Sequence, residues 1–205
     1  MALIPKKPSP TDVTEFRPIS FCNVVYKLVT TVISNRLKPW LSSIFSPNQN
    51  AFTLGRLITD NILIAYEIFH AMHRDSRVGG AMALKLDMAK AYDRVEWPFL
   101  QCVMTRMGFR RSWVETVMRC VSTATFSILI NGVPTGHIVP SRGIRQGDPI
   151  SPYLFLFCSE GLSGVLRRAT EVGSIHGYRI CEAAPSISHL LFADDTIIFC
   201  GAEVE

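Results

Sequence analysis

The sequence has no CxxC pair, no Cys/His spacing that would build a zinc site, no internal repeat and no low-complexity stretch. It also lacks any uninterrupted apolar run of the roughly 18–20 residues that a membrane span requires. The opening MALIPKKPSP has no apolar core long enough for a secretory signal. These absences exclude zinc modules, solenoids, membrane anchors and exported disulfide scaffolds, and lead us to expect a soluble intracellular chain with no membrane partner. Charge of one sign is also scarce: 21 Lys+Arg face 17 Asp+Glu, a net +4. That is a mild lean toward polyanions, well short of the basic signature of a dedicated nucleic-acid binder. The six cysteines are scattered and read as reduced thiols. His70 and His73 are three residues apart, a spacing open to a shared metal but equally that of a solvated helix face. What is present is apolar. Of 205 residues, 48% are hydrophobic, enough for one large domain or two small ones. The mean hydropathy of +0.22 implies either a generous core or apolar surface that further chain would cover.

Along the chain, Pro5 to Pro18 reads as an extended arm with a short polar loop. Val24, Val25, Leu28, Val29, Val32, Ile33 and Leu37 follow a helical period, with Asn23 as cap and Pro39 as terminator. After the polar break Ser46–Asn50, a second helix starts near Asp60 and runs through Ile64, Ile68 and Met72. Gly79-Gly80 marks a turn into a strand, Ala81–Asp87, whose last residue is an acid. Pro98 and Gly108 bracket one further helix, and Ser112 to Ser122 forms another. Asn131-Gly132 joins a strand ending at Ile130 to a return strand near His137–Val139. Pro152 to Thr170 is helical. Ile187–Ala193 and Thr196–Cys200 are two apolar strands joined through Asp194-Asp195. This order predicts an α+β fold with an antiparallel sheet covered on one face by helices.

Three stretches could carry chemistry. Asp194-Asp195 places adjacent carboxylates in a tight turn between apolar strands, where a cation would relieve their repulsion; a solvated turn is the plainer alternative. Asp87 closes an apolar strand and could serve as a helix N-cap. Beside Asp194-Asp195 it would complete a three-carboxylate cluster suited to hard cations and to two-metal phosphoryl transfer. Arg142 to Pro152 combines glycines, two arginines and a following helix N-terminus. It suits a phosphate-bearing ligand or, equally, forms a basic loop capped by Ser151.

Taken together, these stretches resemble the reverse transcriptases of non-LTR (long interspersed element) retrotransposons, plant copies in particular. The resemblance rests on Leu3–Lys6, Phe16–Ser20, Tyr26-Lys27, Asn35–Leu37, Gln49–Phe52 with Gly55-Arg56, Lys85–Asp93, Arg145–Pro152 and Phe192–Asp195. It implies a palm-like fold: a fingers-like helical region over residues 1–80 and a palm over 81–205, together one reverse transcriptase domain. The thumb, the primer-gripping segment and the upstream endonuclease module are expected to be absent. The resemblance further implies RNA-directed DNA polymerase chemistry with RNA template, DNA primer and deoxynucleoside triphosphates as partners. Asp87, Asp194 and Asp195 would hold two Mg²⁺ ions, with Mn²⁺ as a possible substitute. Tyr92 would be an aromatic gate against the ribose 2′-hydroxyl, which also disfavours an RNA-dependent RNA polymerase. Gln146, Gly147 and Arg56 would bind nucleotide, and Lys6, Arg17 and Arg145 would contact template or phosphate. A truncated copy whose solitary activity is in doubt is one expectation. A non-enzymatic remnant that binds RNA or a protein partner is the other.

Overall fold

The computed structural model describes residues 1–74 and 80–201; Gly79, half of the expected turn pair, lies outside them. In chain order the elements are β1 (Ala2–Pro5), β2 (Phe16–Ile19), α1 (Val24–Leu37), α2 (Leu41–Ile44), α3 (Ile58–Arg74), β3 (Ala81–Asp87), α4 (Trp97–Arg106), α5 (Arg111–Ser122), β4 (Phe126–Ile130), β5 (Val133–Ile138), α6 (Ser151–Glu171), β6 (His189–Phe192) and β7 (Asp195–Gly201). Every named strand pair is antiparallel, distributed over three sheets: β1-β2, β3-β7-β6 and β4-β5. Among the described residues no helix is long and apolar enough to cross a membrane. All six cysteines are free.

Two compact units interleave along the sequence. One comprises residues 1–37 and 90–155, the other residues 38–89 and 156–205. Strand pairing explains this: β3 pairs along its whole length with β7, which draws the middle of the chain to its C-terminal part.

In the first unit α4 packs on α5. Val114, Val117 and Val121 on α5 are buried at helical spacing, alongside Leu100 and Met104 on α4. The N-terminal arm is tied down: the Met1 amino group donates to the Ser127 carbonyl at 2.8 Å, and β1 pairs with β2. Asn23 caps α1 as expected, its Oδ1 accepting the Tyr26 N–H at 2.7 Å. The face that α1 buries differs from the one its apolar period predicts. Thr30 and Ser34 are buried, whereas Val24 and Val25 are 74% and 71% exposed. The hydroxyls of Thr30 and Ser34 bond back to the carbonyls of Tyr26 and Thr30. Their polarity is thus satisfied within the helix, and their small size permits close packing.

In the second unit Ile68, Tyr178, Leu190 and Phe199 form the core, with Ile64, Ala65, Met72, Ala81, Ala83 and Ile197 packed around them. The alternation in β3 is used in one direction: Ala81 and Ala83 pack against this core, while Met82 and Leu84 stay exposed. α3 packs against β6 through the period that placed Ile64, Ile68 and Met72 on one side. Asp87 at the end of β3 and Asp195 at the start of β7 are exposed.

Candidate active site

The antiparallel register of β3 and β7 sets Asp87 directly opposite Asp195. Phe192 pairs with Asp195 across the β6–β7 hairpin, so its two-residue turn is Ala193-Asp194. Asp87, Asp194 and Asp195 thus lie at one end of one sheet. Like charges facing each other across strands destabilise a sheet. The Lys85 ammonium lies 3.2 Å from Asp195 Oδ1 and offsets part of this opposition. An all-carboxylate oxygen donor set with a charge deficit fits a hard divalent cation. Among the described residues no three His, Cys, Asp or Glu side chains are gathered as ligands of one ion.

The turn itself is held from outside. Ala193 has φ of 55°, the left-handed region that costs an L-residue roughly 1–2 kcal/mol. Its N–H donates to Oε1 of Gln49 at 3.2 Å. The segment before it is equally tied: the Leu191 N–H donates to the Asn48 carbonyl at 2.8 Å, and its carbonyl accepts from the Asn50 N–H at 3.2 Å. Below the turn, His189 is 1% exposed. One ring nitrogen lies 2.8 Å from Ser163 Oγ and 3.0 Å from Asn48 Nδ2, the other 2.9 Å from Ser188 Oγ. Burial, with the Arg167 charge adding to it, lowers its pKa to about 4. Arg56, expected to bind nucleotide, knits this same segment. Its guanidinium donates to the carbonyls of Ser46 and Gln49 at 2.6 Å, Ser42 at 3.0 Å and Phe45 at 3.2 Å.

In the first unit the loop before α6 is organised around Arg145 and Asp148, whose side chains are 14% and 3% exposed. The Arg145 guanidinium lies over the Tyr26 ring at 3.9 Å from its centroid. It donates to the Cys120 carbonyl at 2.6 Å and sits 3.9 Å from Asp148 Oδ2. The Tyr26 hydroxyl donates to the same carboxylate oxygen at 2.5 Å. Burial and this hydrogen bond push the Tyr26 hydroxyl far above the usual phenol range. Arg145 is engaged with Tyr26, the Cys120 carbonyl and Asp148, and its Nη1 also donates to Cys22 Sγ at 3.8 Å. Asp148 Oδ1 also accepts from the Ile150 N–H at 3.3 Å, in the turn just before α6. Gln146 and Gly147 lie between these two residues and are more open. The Gln146 carbonyl accepts from the Ser20 N–H at 2.9 Å. A Cβ at Gly147, whose φ is +96°, would come within 3.2 Å of the Ser20 carbonyl, so glycine is required there. Tyr92, half-buried, stacks on Phe155 at 5.4 Å with 6° between the rings. A cavity of about 180 Å³ opens here, lined by Ser20, Asp93, Arg142, Gln146 and Asp148 among others. Arg17 and Lys6 are exposed; the Lys6 ammonium donates to the Thr14 carbonyl at 2.9 Å.

Residues 4–205 match the reverse transcriptase (RNA-dependent DNA polymerase) family. The chain belongs to that family. It is 30% identical over 199 residues to a 149 kDa protein of the transposon TX1 from Xenopus laevis, covering 97% of this chain and 15% of that one. It is 28% identical over 196 residues to the Pol polyprotein of a type-2 retrotransposable element from Drosophila melanogaster, covering 96% and 17%. A mitochondrial protein of Arabidopsis thaliana is 60% identical over 68 residues, 33% of this chain and 56% of its own length. The chain thus spans about half of the Arabidopsis protein and under a fifth of these two element proteins. A solved telomerase from Candida tropicalis shares the fold, with a TM-score of 0.53 at 12% identity over 86% of this chain and 34% of that one. A telomerase from Candida albicans gives 0.52 at 11% identity, over 86% and 29%. The chain is accordingly a reverse transcriptase domain of the non-LTR retrotransposon type, with the expected α+β fold. Enzymes of this family generally depend on a divalent metal.

Sequence reasoning placed Gln49 within a family block but gave it no role, and it missed Tyr26, Asp148 and His189 as organisers. The fully buried polar side chain of Gln49 carries no periodic signal. Its partners Ala51, Ser159 and Ala193 emerge only in the fold.

Proposed function

We propose that this reverse transcriptase domain carries the metal-binding carboxylates of an RNA-directed DNA polymerase: Asp87, Asp194 and Asp195 hold Mg²⁺, with Mn²⁺ as substitute. The observation that supports this reading is the register that opposes Asp87 to Asp195 beside the Asp194 turn, with one lysine against three acids. A bound cation would relieve the like-charge opposition that this register sets up across the two strands. When bound, divalent ions there would make the primer 3′-hydroxyl a better nucleophile and stabilise charge on the phosphoryl oxygens. The chain's own residues do the rest. Lys85 holds Asp195 in place, and the backbone of the turn fixes the direction of Asp194. In the first unit, Tyr92 is assigned to the nucleotide sugar, its ring held flat against Phe155 so that it can exclude a 2′-hydroxyl. Gln146 and Gly147 are assigned to the nucleotide, and the exposed Arg17 and Lys6 to template phosphates. Arg56 and Arg145 are assigned a supporting part, because their guanidinium groups are committed to carbonyls and, for Arg145, to Asp148.

Extension of a DNA primer on an RNA template by this chain, with and without Mg²⁺, tests the reading. Mg²⁺-dependent incorporation that falls about 1000-fold or more in Asp194→Asn, with the fold retained, is the expected result. Incorporation unchanged in Asp194→Asn overturns the carboxylate assignment. Mg²⁺ binding without any incorporation identifies the non-enzymatic remnant.

A further inference from the structure

We propose that Gln49 is the positioning residue of the Asp194-Asp195 hairpin: its side-chain carbonyl holds the turn in the left-handed conformation that aims the acids. The consequence for metal binding rests on the reading above; the holding of the turn does not.

The geometry is specific. Gln49 is 1% exposed, and its amide is oriented without ambiguity. Oε1 receives two backbone N–H groups, from Ala51 at 2.9 Å and from Ala193 at 3.2 Å. Only the oxygen end can accept them. The Nε2 end donates to Ser159 Oγ at 3.1 Å, and that hydroxyl donates to the Leu156 carbonyl at 3.1 Å. Gln49 is therefore clamped by α6 on one side and offers its oxygen to the turn on the other. Its backbone is clamped as well: Arg56 binds its carbonyl, and its flanking residues pair with Leu191 in a parallel bridge.

The turn needs such help. A two-residue hairpin turn with φ > 0 at its first position favours glycine there. This chain has alanine at 193, with φ of 55°, followed at once by two carboxylates that repel each other. Nothing local favours the conformation. The Gln49 bond supplies an external preference for the one backbone state in which Asp195 faces Asp87. Strain of this kind persists only where the surroundings over-determine it.

A double-mutant cycle on the full chain decides the matter. Gln49→Leu removes the acceptor with little change in volume, and Ala193→Gly removes the turn's need for it. Two readouts are taken: amide-exchange protection at residue 193, and Mn²⁺ affinity by electron paramagnetic resonance. With Ala193 present, Gln49→Leu is expected to lower protection at 193 by about 10-fold and to weaken Mn²⁺ binding by a similar factor. In the Ala193→Gly background both effects should shrink to about 3-fold or less. Equal losses in the two backgrounds would make Gln49 a packing residue only and overturn the proposal, as would no loss in either. Should Gln49→Leu fail to fold, Gln49→Glu, which keeps an acceptor for the Ala193 N–H, must retain protection at 193; loss there overturns the proposal too. If the unaltered chain binds no Mn²⁺ at these acids, the metal reading fails, while the exchange cycle still decides the part played by Gln49.

Discussion

Among the described residues there are two hairpins with two-residue turns, and they are built on opposite principles. In β4–β5 the turn is Asn131-Gly132, with φ of 49° and 83°, residue types that accept left-handed backbone without help. Every residue of β5 is exposed. In β6–β7 the turn is Ala193-Asp194, with an alanine in the left-handed region. Three of the four residues of β6 are buried, β7 buries Thr196 and Phe199, and the turn N–H is held by a side chain 144 residues away in sequence. The first hairpin specifies itself locally. The second is specified by its surroundings, and it is the one that carries the acids. A turn chosen for what it presents rather than for its own stability must draw that stability from tertiary contacts.

This contrast can be broken at several points. The largest expected effect falls on the first unit. Asp148→Ala leaves Arg145 buried without its carboxylate and the Tyr26 hydroxyl with only the Cys120 carbonyl at 3.2 Å, and should cost about 3–5 kcal/mol. Denaturant unfolding followed at β4–β5 amides checks this. A loss under about 1 kcal/mol would mean that the Arg145–Asp148 pair does not organise that unit.

The next effect separates the hairpins by pH. His189 titrates near 4 when folded against an ordinary 6.5, so the unfolded chain takes up the proton first as pH falls. The stability of the second unit is therefore full above about 6.5 and declines progressively toward pH 4, by about 3 kcal/mol in total. Exchange at β6–β7 amides should quicken over that window. His189→Gln should flatten the dependence, and an unaltered slope in that variant would exclude His189 as its source.

The smallest effect is the turn exchange. Gly132→Ala should destabilise by about 1 kcal/mol, because alanine must then adopt a φ of 83°. Ala193→Gly should be neutral or stabilising, by up to about 1 kcal/mol. Thermal melts of the two variants moving in the same direction would remove the distinction between the hairpins.

Legibility in the sequence follows the same division. Asn131-Gly132 announced its hairpin because its turn chemistry is local. Ala81–Asp87 was readable as a strand because alternation and an acid end are local as well. The helices from Asn23, through Ile68 and from Ser112 were found by period and caps. The burial of α1 was not, since Thr30 and Ser34 satisfy themselves within the helix and so can point inward while valines point out. Arg56 and Arg145 look in sequence like phosphate ligands. Their partners include the Asp148 carboxylate and backbone carbonyls 7 to 25 residues away, contacts that residue type alone does not announce. The interleaving of the two units was hidden for the same reason: β3 finds its partner β7 more than 100 residues later.

Paramagnetic broadening of backbone amides by Mn²⁺ bears most directly on the role of the acids. Broadening should centre on residues 87, 194 and 195 and disappear in Asp87→Asn with the hairpin intact. Broadening centred elsewhere, or persisting unchanged in Asp87→Asn, would contradict the assignment of Asp87, Asp194 and Asp195 as one cation site.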